Sequence, residues 1–341
     1  MTSPSRPVHH PPRRRPTTLL SLSVLAAAAL SGCSADTNEP GNDRAAARPA
    51  PKGVVTVDAA RATVDAFEKA NNEANRIRGA EGEELLGTVE AGQVHEQSQA
   101  DYEQSKTWSK AEQKGYGTPL FYTARKYYIP HADQSWFAVT ATVSETKSQG
   151  LMIFDKVGGR FKMVAAVYAD KKTAMPEIAV NRGLATAVDP SKRVGTLAPN
   201  QLADAFEDLA ETGGKKAGQQ LAPTEATKEF TTRYTDRNKA KEASFATVKH
   251  FDGKPAHPQV YALRLADGGV LALFPSAYTI EYLHKRFMNG GRIIPGPAEA
   301  VYNAEQRPLI TDEYQGQALA ALTPTNKPQV LTHRYTMVNS R

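Results

Sequence analysis

Three groupings of side chains have the types and spacing to do chemistry. His250-Phe251-Asp252 with His257 could offer two imidazoles and a carboxylate to a metal ion such as zinc. Pro255 and Pro258 restrict the path between the histidines, and a strand end followed by a solvated turn accounts for the same residues without metal. His131-x-Asp133 has the composition of an acid–base pair, against the plainer reading of a polar turn after Pro130. The third grouping is aromatic: Phe121, Tyr122, Tyr127, Tyr128 and Trp136 in one half, Phe274, Tyr278, Tyr282 and Phe287 in the other. Of these, Tyr128, Trp136, Phe274, Tyr278 and Tyr282 are the candidates for lining a ligand pocket or a contact face. Strand faces bury aromatics in any case, so ordinary core packing competes with that role. No Gly-x-Ser-x-Gly elbow, His-Glu-x-x-His helix, Gly-x-x-x-x-Gly-Lys loop or dinucleotide fingerprint occurs. Gly115-x-Gly117 lacks a third glycine and reads as a turn.

The chain holds 1 cysteine, Cys33, and its surroundings give it a different chemistry. Arg13, Arg14 and Arg15 precede an uncharged run from Leu19 to Leu30, which ends in Leu30-Ser31-Gly32-Cys33. A positive cluster, a short apolar stretch and small residues make a secretory signal peptide. The run is too short for a spanning helix, which needs about 20 apolar residues. Leu-Ser-Gly-Cys resembles the bacterial lipobox, which implies cleavage between Gly32 and Cys33 and a diacylglycerol on the Cys33 thiol. No Phe-Leu-Lys-like continuation follows the arginines, which favours the general secretory route over twin-arginine export. The expected address is the extracytoplasmic face of the cell membrane, with the membrane itself a partner through the N-terminal lipid. Residues 33–53 are small and polar without periodicity, the composition of a flexible tether with a reach of roughly 25 Å.

Composition bounds the remainder. About 290 residues follow Val54, enough for two ordinary domains. Loss of Arg6, Arg13, Arg14 and Arg15 with the leader takes the 42 basic residues to 38 against 36 acidic, so +6 becomes +2. No long Lys/Arg block follows, so a nucleic-acid partner is not expected. With Cys33 acylated, no thiol remains for a disulfide, a nucleophile or a thiolate metal site. No cofactor and no metal centre is expected.

The elements that must position these groups fall into two similar series. Val57, Ala60, Val64, Phe67, Ala70, Ala74 and Ile77 form one face of a helix, with Thr56 or Asp58 as its N-cap. A more polar helical stretch, roughly 82–113, precedes four strand-like segments at 120–128, 135–143, 151–154 and 160–168. In the second of these, Phe137, Val139, Ala141 and Val143 share a face opposite Trp136, Thr140 and Thr142; Gly158-Gly159 marks a hairpin. Residues 175–199 read as a connector punctuated by prolines. Asp65-Ala66-Phe67-Glu68 then recurs as Asp204-Ala205-Phe206-Glu207, again inside an apolar-faced helix. A second helix (224–241) and strands at 244–251, 260–265, 270–274 and 329–338 follow, with Asp267-Gly268 as a hairpin turn. Residues 287–304, with Gly290-Gly291 and Pro295-Gly296-Pro297, read as a long loop.

A tetrapeptide repeated at the same place in a helices-then-strands order points to tandem copies of one α+β unit, 54–175 and 196–341, each with helices on a curved antiparallel sheet. That order is similar to the cystatin/nuclear-transport-factor-2-like superfamily, and the whole resembles uncharacterised actinobacterial lipoproteins with two such units. Members of this shape include enzymes, ligand carriers and structural modules, so the resemblance implies a fold and leaves the activity open. The expected function is a non-catalytic binding or scaffolding module of the cell envelope, holding an envelope protein or a small ligand. The alternatives are a hydrolase or isomerase with a dispersed pocket, or a solute-binding lipoprotein.

Overall fold

A computed structural model describes residues 52–341; the signal peptide, Cys33 and nearly all of the expected tether lie outside the described residues. The first helix, α1 (Val57–Ile77), opens on Thr56, whose side chain accepts from the Ala59 N–H. It stops at Arg78, which adopts φ 57°. The polar stretch that follows is three helices rather than one: α2 (Gly79–Val89), α3 (Gly92–Ser105) and α4 (Lys110–Tyr116). The first break falls where the Ala91 N–H leaves the helix to bond the Met163 carbonyl at 3.0 Å. Strands β1 (Tyr122–Tyr128), β2 (Trp136–Val143), β3 (Gln149–Val157) and β4 (Arg160–Ala169) form an antiparallel meander in that order.

The connector carries a small two-stranded ribbon, β5 (Val180–Asn181) with β6 (Leu184–Ala185). Helices α5 (Leu202–Glu211) and α6 (Glu225–Asp236) come next, α6 opening on a Thr224/Thr227 capping box. The second sheet contains β7 (Ala246–Asp252), β8 (Tyr261–Arg264), β9 (Val270–His284), β10 (Leu309–Leu322) and β11 (Gln329–Ser340). A short helix, α7 (Pro297–Ala300), lies inside the long loop between β9 and β10.

Two features of this sheet depart from the sequence reading. The third strand continues ten residues past Phe274, to His284, through Pro275. On one edge of β9, β8 pairs with Val270–Leu273 and β7 with Tyr278–His284, so Pro275 falls in the gap between them. A proline lacks the N–H that a central strand must donate, and the gap is where no donor is needed. Strand β10, the centre of the sheet, is absent from the expected elements. Its polar residues Thr311, Asp312 and Gln317 conceal the two-residue period, yet all three are buried.

Apolar side chains fill three layers. Ala60, Val64 and Phe67 of α1 pack on Phe137, Val139, Phe154 and Met163 of the first sheet. The other face of that sheet, with Tyr128, Trp136, Leu151 and Ile153, packs on Leu263, Leu271, Leu273 and Leu319 of the second. The far face of the second sheet takes Leu202, Phe206 and Leu209 of α5 and Phe230 of α6. Both sheets are therefore covered on both faces, which is why β2 reads as nearly continuous apolar sequence.

The polar character of α3 follows from where it lies. Gln104 donates to the Met337 carbonyl at 2.6 Å, and Gln97 to the Gln315 carbonyl at 3.3 Å, fixing the helix to the second sheet. Gln317 of β10 donates to Gln97 at 3.1 Å and accepts the Ala166 N–H of β4 at 3.1 Å. Strand β4 is an edge, and this contact satisfies a donor that would otherwise face apolar surroundings.

Candidate functional site

The Asp-Ala-Phe-Glu helices aim their glutamates at strand backbone. Glu68 accepts the Tyr122 N–H at 2.6 Å and pairs with Arg125 at 2.7 Å. Glu207 accepts the Ala277 N–H at 2.6 Å and the Gly253 N–H at 3.3 Å, and the Ser276 hydroxyl donates to it as well. Burial pushes the Glu207 carboxyl up to about 7, against the pull of those three donors. Tyr335 donates to Ser276 at 2.5 Å, so a chain of hydroxyls runs from β11 through β9 to α5.

A missing side chain makes that reach possible. Gly316 of β10 lies directly between Ser276 and Tyr335 in the ladder, and a Cβ there would collide with the Tyr335 ring. The first sheet repeats the device. Gly150 of β3 faces Tyr168 of β4, a Cβ would meet that ring at 2.8 Å, and the Tyr168 hydroxyl lies 2.5 Å from that of Tyr122.

Around Tyr335 the second sheet and its helices pack rings and charges densely. Phe206 and Phe230 stack at 4.0 Å between centroids. Arg233 lies 4.4 Å from the Phe230 centroid, donates to the Tyr278 hydroxyl at 2.6 Å and pairs with Glu229 at 2.8 Å. His333 lies 3.1 Å from Glu229, and that hydrogen bond is the main cause holding the Glu229 carboxyl down to about 2.

Beside this cluster an open cleft of about 370 Å³ is lined by residues that include Lys215, Tyr234, Arg237, Lys249, His250 and Phe251. The Arg237 guanidinium sits 3.8 Å above the Tyr234 ring and Lys215 lies 5.7 Å from it. Burial, then Arg233 and Arg237, bring His250 down to about 4, and its buried Nδ1 finds no partner among the described residues. The cleft sets the cations of Lys215, Arg237 and Lys249 beside Glu211, Tyr234 and the neutral imidazole.

The residues singled out from sequence are distributed as follows. His250 and His257 do not converge: His257 lies 3.7 Å from Glu96, on the opposite side of the chain order, and no group of three or more metal-ligating side chains occurs among the described residues. His131 and Asp133 stand 3.4 Å apart with both side chains exposed. Tyr128 and Trp136 are buried between the sheets, where Trp136 meets Tyr261 edge-on at 5.2 Å. Phe274 and Tyr278 are buried under α5 and α6, and Tyr282 packs on Ala246, Ile293 and Ile310. Sequence reasoning did not single out Glu207, Ser276, Arg233 or Tyr335. The repeated tetrapeptide marked Glu207, but its partner Ser276 lies in a strand that appeared to end at Phe274.

These features define an α+β protein of two antiparallel sheets with helices outside them. The chain belongs to the family described as Domain of unknown function (DUF8094), whose model matches residues 51–341. It is similar to the "Uncharacterized lipoprotein SCO6871" of Streptomyces coelicolor, 30% identical over 288 residues, covering 78% of this chain and 77% of that one. No solved structure matches the chain.

Proposed function

We propose that this chain is a lipid-anchored lipoprotein of the extracytoplasmic membrane face, acylated at Cys33, and that it binds or scaffolds rather than catalyses. The observation that carries the non-catalytic part is the fate of Glu207. It is the buried carboxyl of the helix-facing site with a pKa near neutrality, and both its oxygens are engaged by Ala277, Ser276 and Gly253. A general acid or base needs such a group within reach of a substrate proton. The helix-facing side of each sheet is instead filled with rings, by Phe67, Phe137 and Phe154 in one and Phe206, Phe230 and Phe274 in the other.

The anchor reading is supported by the lipoprotein relative, and among the described residues no helix is long and apolar enough to cross a membrane. Two parallels support tandem copies at 54–175 and 196–341. Each Asp-Ala-Phe-Glu glutamate accepts a strand N–H, and in each sheet the last strand but one carries a glycine under a tyrosine of the last. The binding surface in this reading is the cleft beside His250.

Two measurements test it. A clickable palmitate analogue fed to an expressing bacterium labels the wild-type chain and not Cys33→Ala, which leaves the membrane fraction. Envelope components captured on the wild-type chain are lost with Arg237→Glu. Labelling that persists without Cys33, or capture indifferent to Arg237, contradicts the corresponding half.

A further inference from the structure

The long loop between β9 and β10 carries a surface that none of these roles uses. Eight large apolar residues are exposed among those described, and four of them, Phe287, Met288, Ile294 and Leu309, belong to this one loop and the strand end beside it. Met288 is 82% exposed and Ile294 66%. The remaining four, Val57, Phe121, Val157 and Val180, are scattered along the chain. An isolated exposed apolar residue is ordinary, whereas a group of them marks a contact.

The charge pattern says what the contact is. From Leu283 to Ala298 the sequence holds Lys285, Arg286 and Arg292 and no Asp or Glu. Lys285, Arg286 and Arg292 are exposed in the same loop, Lys285 while donating to the Ala243 carbonyl at 2.6 Å.

The backbone beneath is built to present them. The Gly291 N–H bonds the Arg286 carbonyl at 2.9 Å, and Gly290 takes φ 75° to close the turn. The Arg286 N–H bonds His284 Nδ1 at 3.0 Å. Ile293 exchanges backbone hydrogen bonds with Arg307 and buries its side chain with Ala246 and Ile310, so its neighbour Ile294 faces out.

We infer that this loop is a membrane-contact site, in which Phe287, Met288 and Ile294 enter the interface of an anionic bilayer while Lys285, Arg286 and Arg292 meet its headgroups. Apolar side chains flanked by cations are the composition of surfaces that lie at the boundary of acyl chains and headgroups, and cations add attraction to anionic lipid. A protein partner of matching chemistry would need an acidic surface with an apolar centre; a bilayer supplies both on any patch. The setting rests on the lipid-anchored reading, because a tethered protein meets the bilayer at high local concentration.

The test removes the anchor so that the two readings fail separately. The chain from Ser34 onward keeps every described residue and carries no acyl group. It is sedimented with vesicles of phosphatidylcholine alone and with about one-third phosphatidylglycerol. Binding to the anionic vesicles on the order of tenfold stronger, weakened severalfold by half-molar salt, is expected. Met288→Asp and Ile294→Asp each reduce it by about tenfold with an unchanged circular dichroism spectrum and melting temperature, and Val180→Asp leaves it unaltered. Equal binding by Met288→Asp, or no preference for anionic vesicles, overturns the inference. So does a dimer of the wild-type chain that Met288→Asp converts to monomer, since a second copy would then cover the loop. Absence of palmitate labelling on the wild-type chain would instead count against the anchor and leave the vesicle result standing.

Discussion

The ring of Tyr335 lies across Gly316 on the neighbouring strand, in the space that any other residue's Cβ would fill. That position lets the Tyr335 hydroxyl reach Ser276, one strand further on, and through it the Glu207 carboxylate. Gly316→Ala should therefore displace the ring and destabilise the fold by about 2–3 kcal/mol, the order of an overpacked core site. In a Tyr335→Ala background the same substitution should cost less but stay destabilising, because the ring is gone while the Arg334 carbonyl oxygen, 2.5 Å from that Cβ, remains. Urea denaturation of the four variants measures the coupling, and additive effects of the two changes would refute the steric account.

Glu207 makes a separate prediction. Its removal leaves the Ala277 N–H, in the gap of β9's edge beside Pro275, without an acceptor, and the buried Ser276 hydroxyl loses one too. An unsatisfied buried donor costs about 1–3 kcal/mol, so Glu207→Ala should cost about 3 kcal/mol, and Glu207→Gln, which keeps one oxygen, about 1. Equal costs for the two would show that the hydrogen bonds contribute little.

The same carboxyl shapes the response to pH. Glu207 is raised from 4.5 to about 7 and Asp312 from 3.8 to about 7, both chiefly by burial. Each contribution is fully present below the ordinary carboxyl value and is lost as pH rises through about 7. His250, lowered from 6.5 to about 4 by burial, has the opposite sign: its contribution is present above 6.5 and lost as pH falls through 4. Each shift corresponds to roughly 3–4 kcal/mol at most, so two carboxyls outweigh one imidazole. Stability should rise by a few kcal/mol as pH falls from 7.5 to 5, the reverse of ordinary acid lability. The urea midpoint measured across that range checks it. In Glu207→Gln combined with Asp312→Asn the slope should flatten, because Glu90 and Glu96, also raised chiefly by burial, then stand alone against His250.

Gln317 joins α3, β4 and β10 through its two amide atoms, accepting from Ala166 and donating to Gln97. Gln317→Leu keeps the volume and removes both bonds. It should cost about 2 kcal/mol and speed hydrogen exchange of the Ala166 amide more than that of β2 amides, as measured by exchange mass spectrometry.

How much of this was legible beforehand depended on whether the deciding contact was local. The bounds of α1 and the Phe137/Val139/Ala141/Val143 face could be read because periodicity alone sets them. The turn at Asp267-Gly268 could be placed, since Gly268 needs φ 85°, but its length could not: it reads as a two-residue turn, whereas the Leu265 N–H bonds the Gly269 carbonyl at 2.9 Å and leaves three residues between them. Strand β10 was hidden because Asp312 and Gln317 are buried by partners far along the chain, Ser340 for one and Ala166 for the other. The extension of β9 was hidden because a proline within a strand is acceptable only if its edge neighbour is missing, which sequence cannot reveal. The candidate site suffered most: Ser276 and Tyr335 are separated from Glu207 by 69 and 128 positions, and no spacing rule connects them.

The layer between the sheets decides whether the two sheets and the helices outside them unfold together. Trp136 and Tyr261 meet there at 5.2 Å, and the Tyr261 hydroxyl donates to Asp155 of β3 at 2.8 Å. Phe67 and Phe206 lie in separate outer cores, both nearly or fully buried. Phe67→Ala and Phe206→Ala should each cost about 3–5 kcal/mol and lower the midpoint of one shared transition, because the layer between the sheets couples the two outer cores. Trp136→Ala removes the largest ring of that coupling. It should broaden or split the calorimetric transition, after which Phe67→Ala shifts one part and Phe206→Ala the other. A single undivided transition in Trp136→Ala, moved equally by both changes, would show that the sheets are joined by more than this layer.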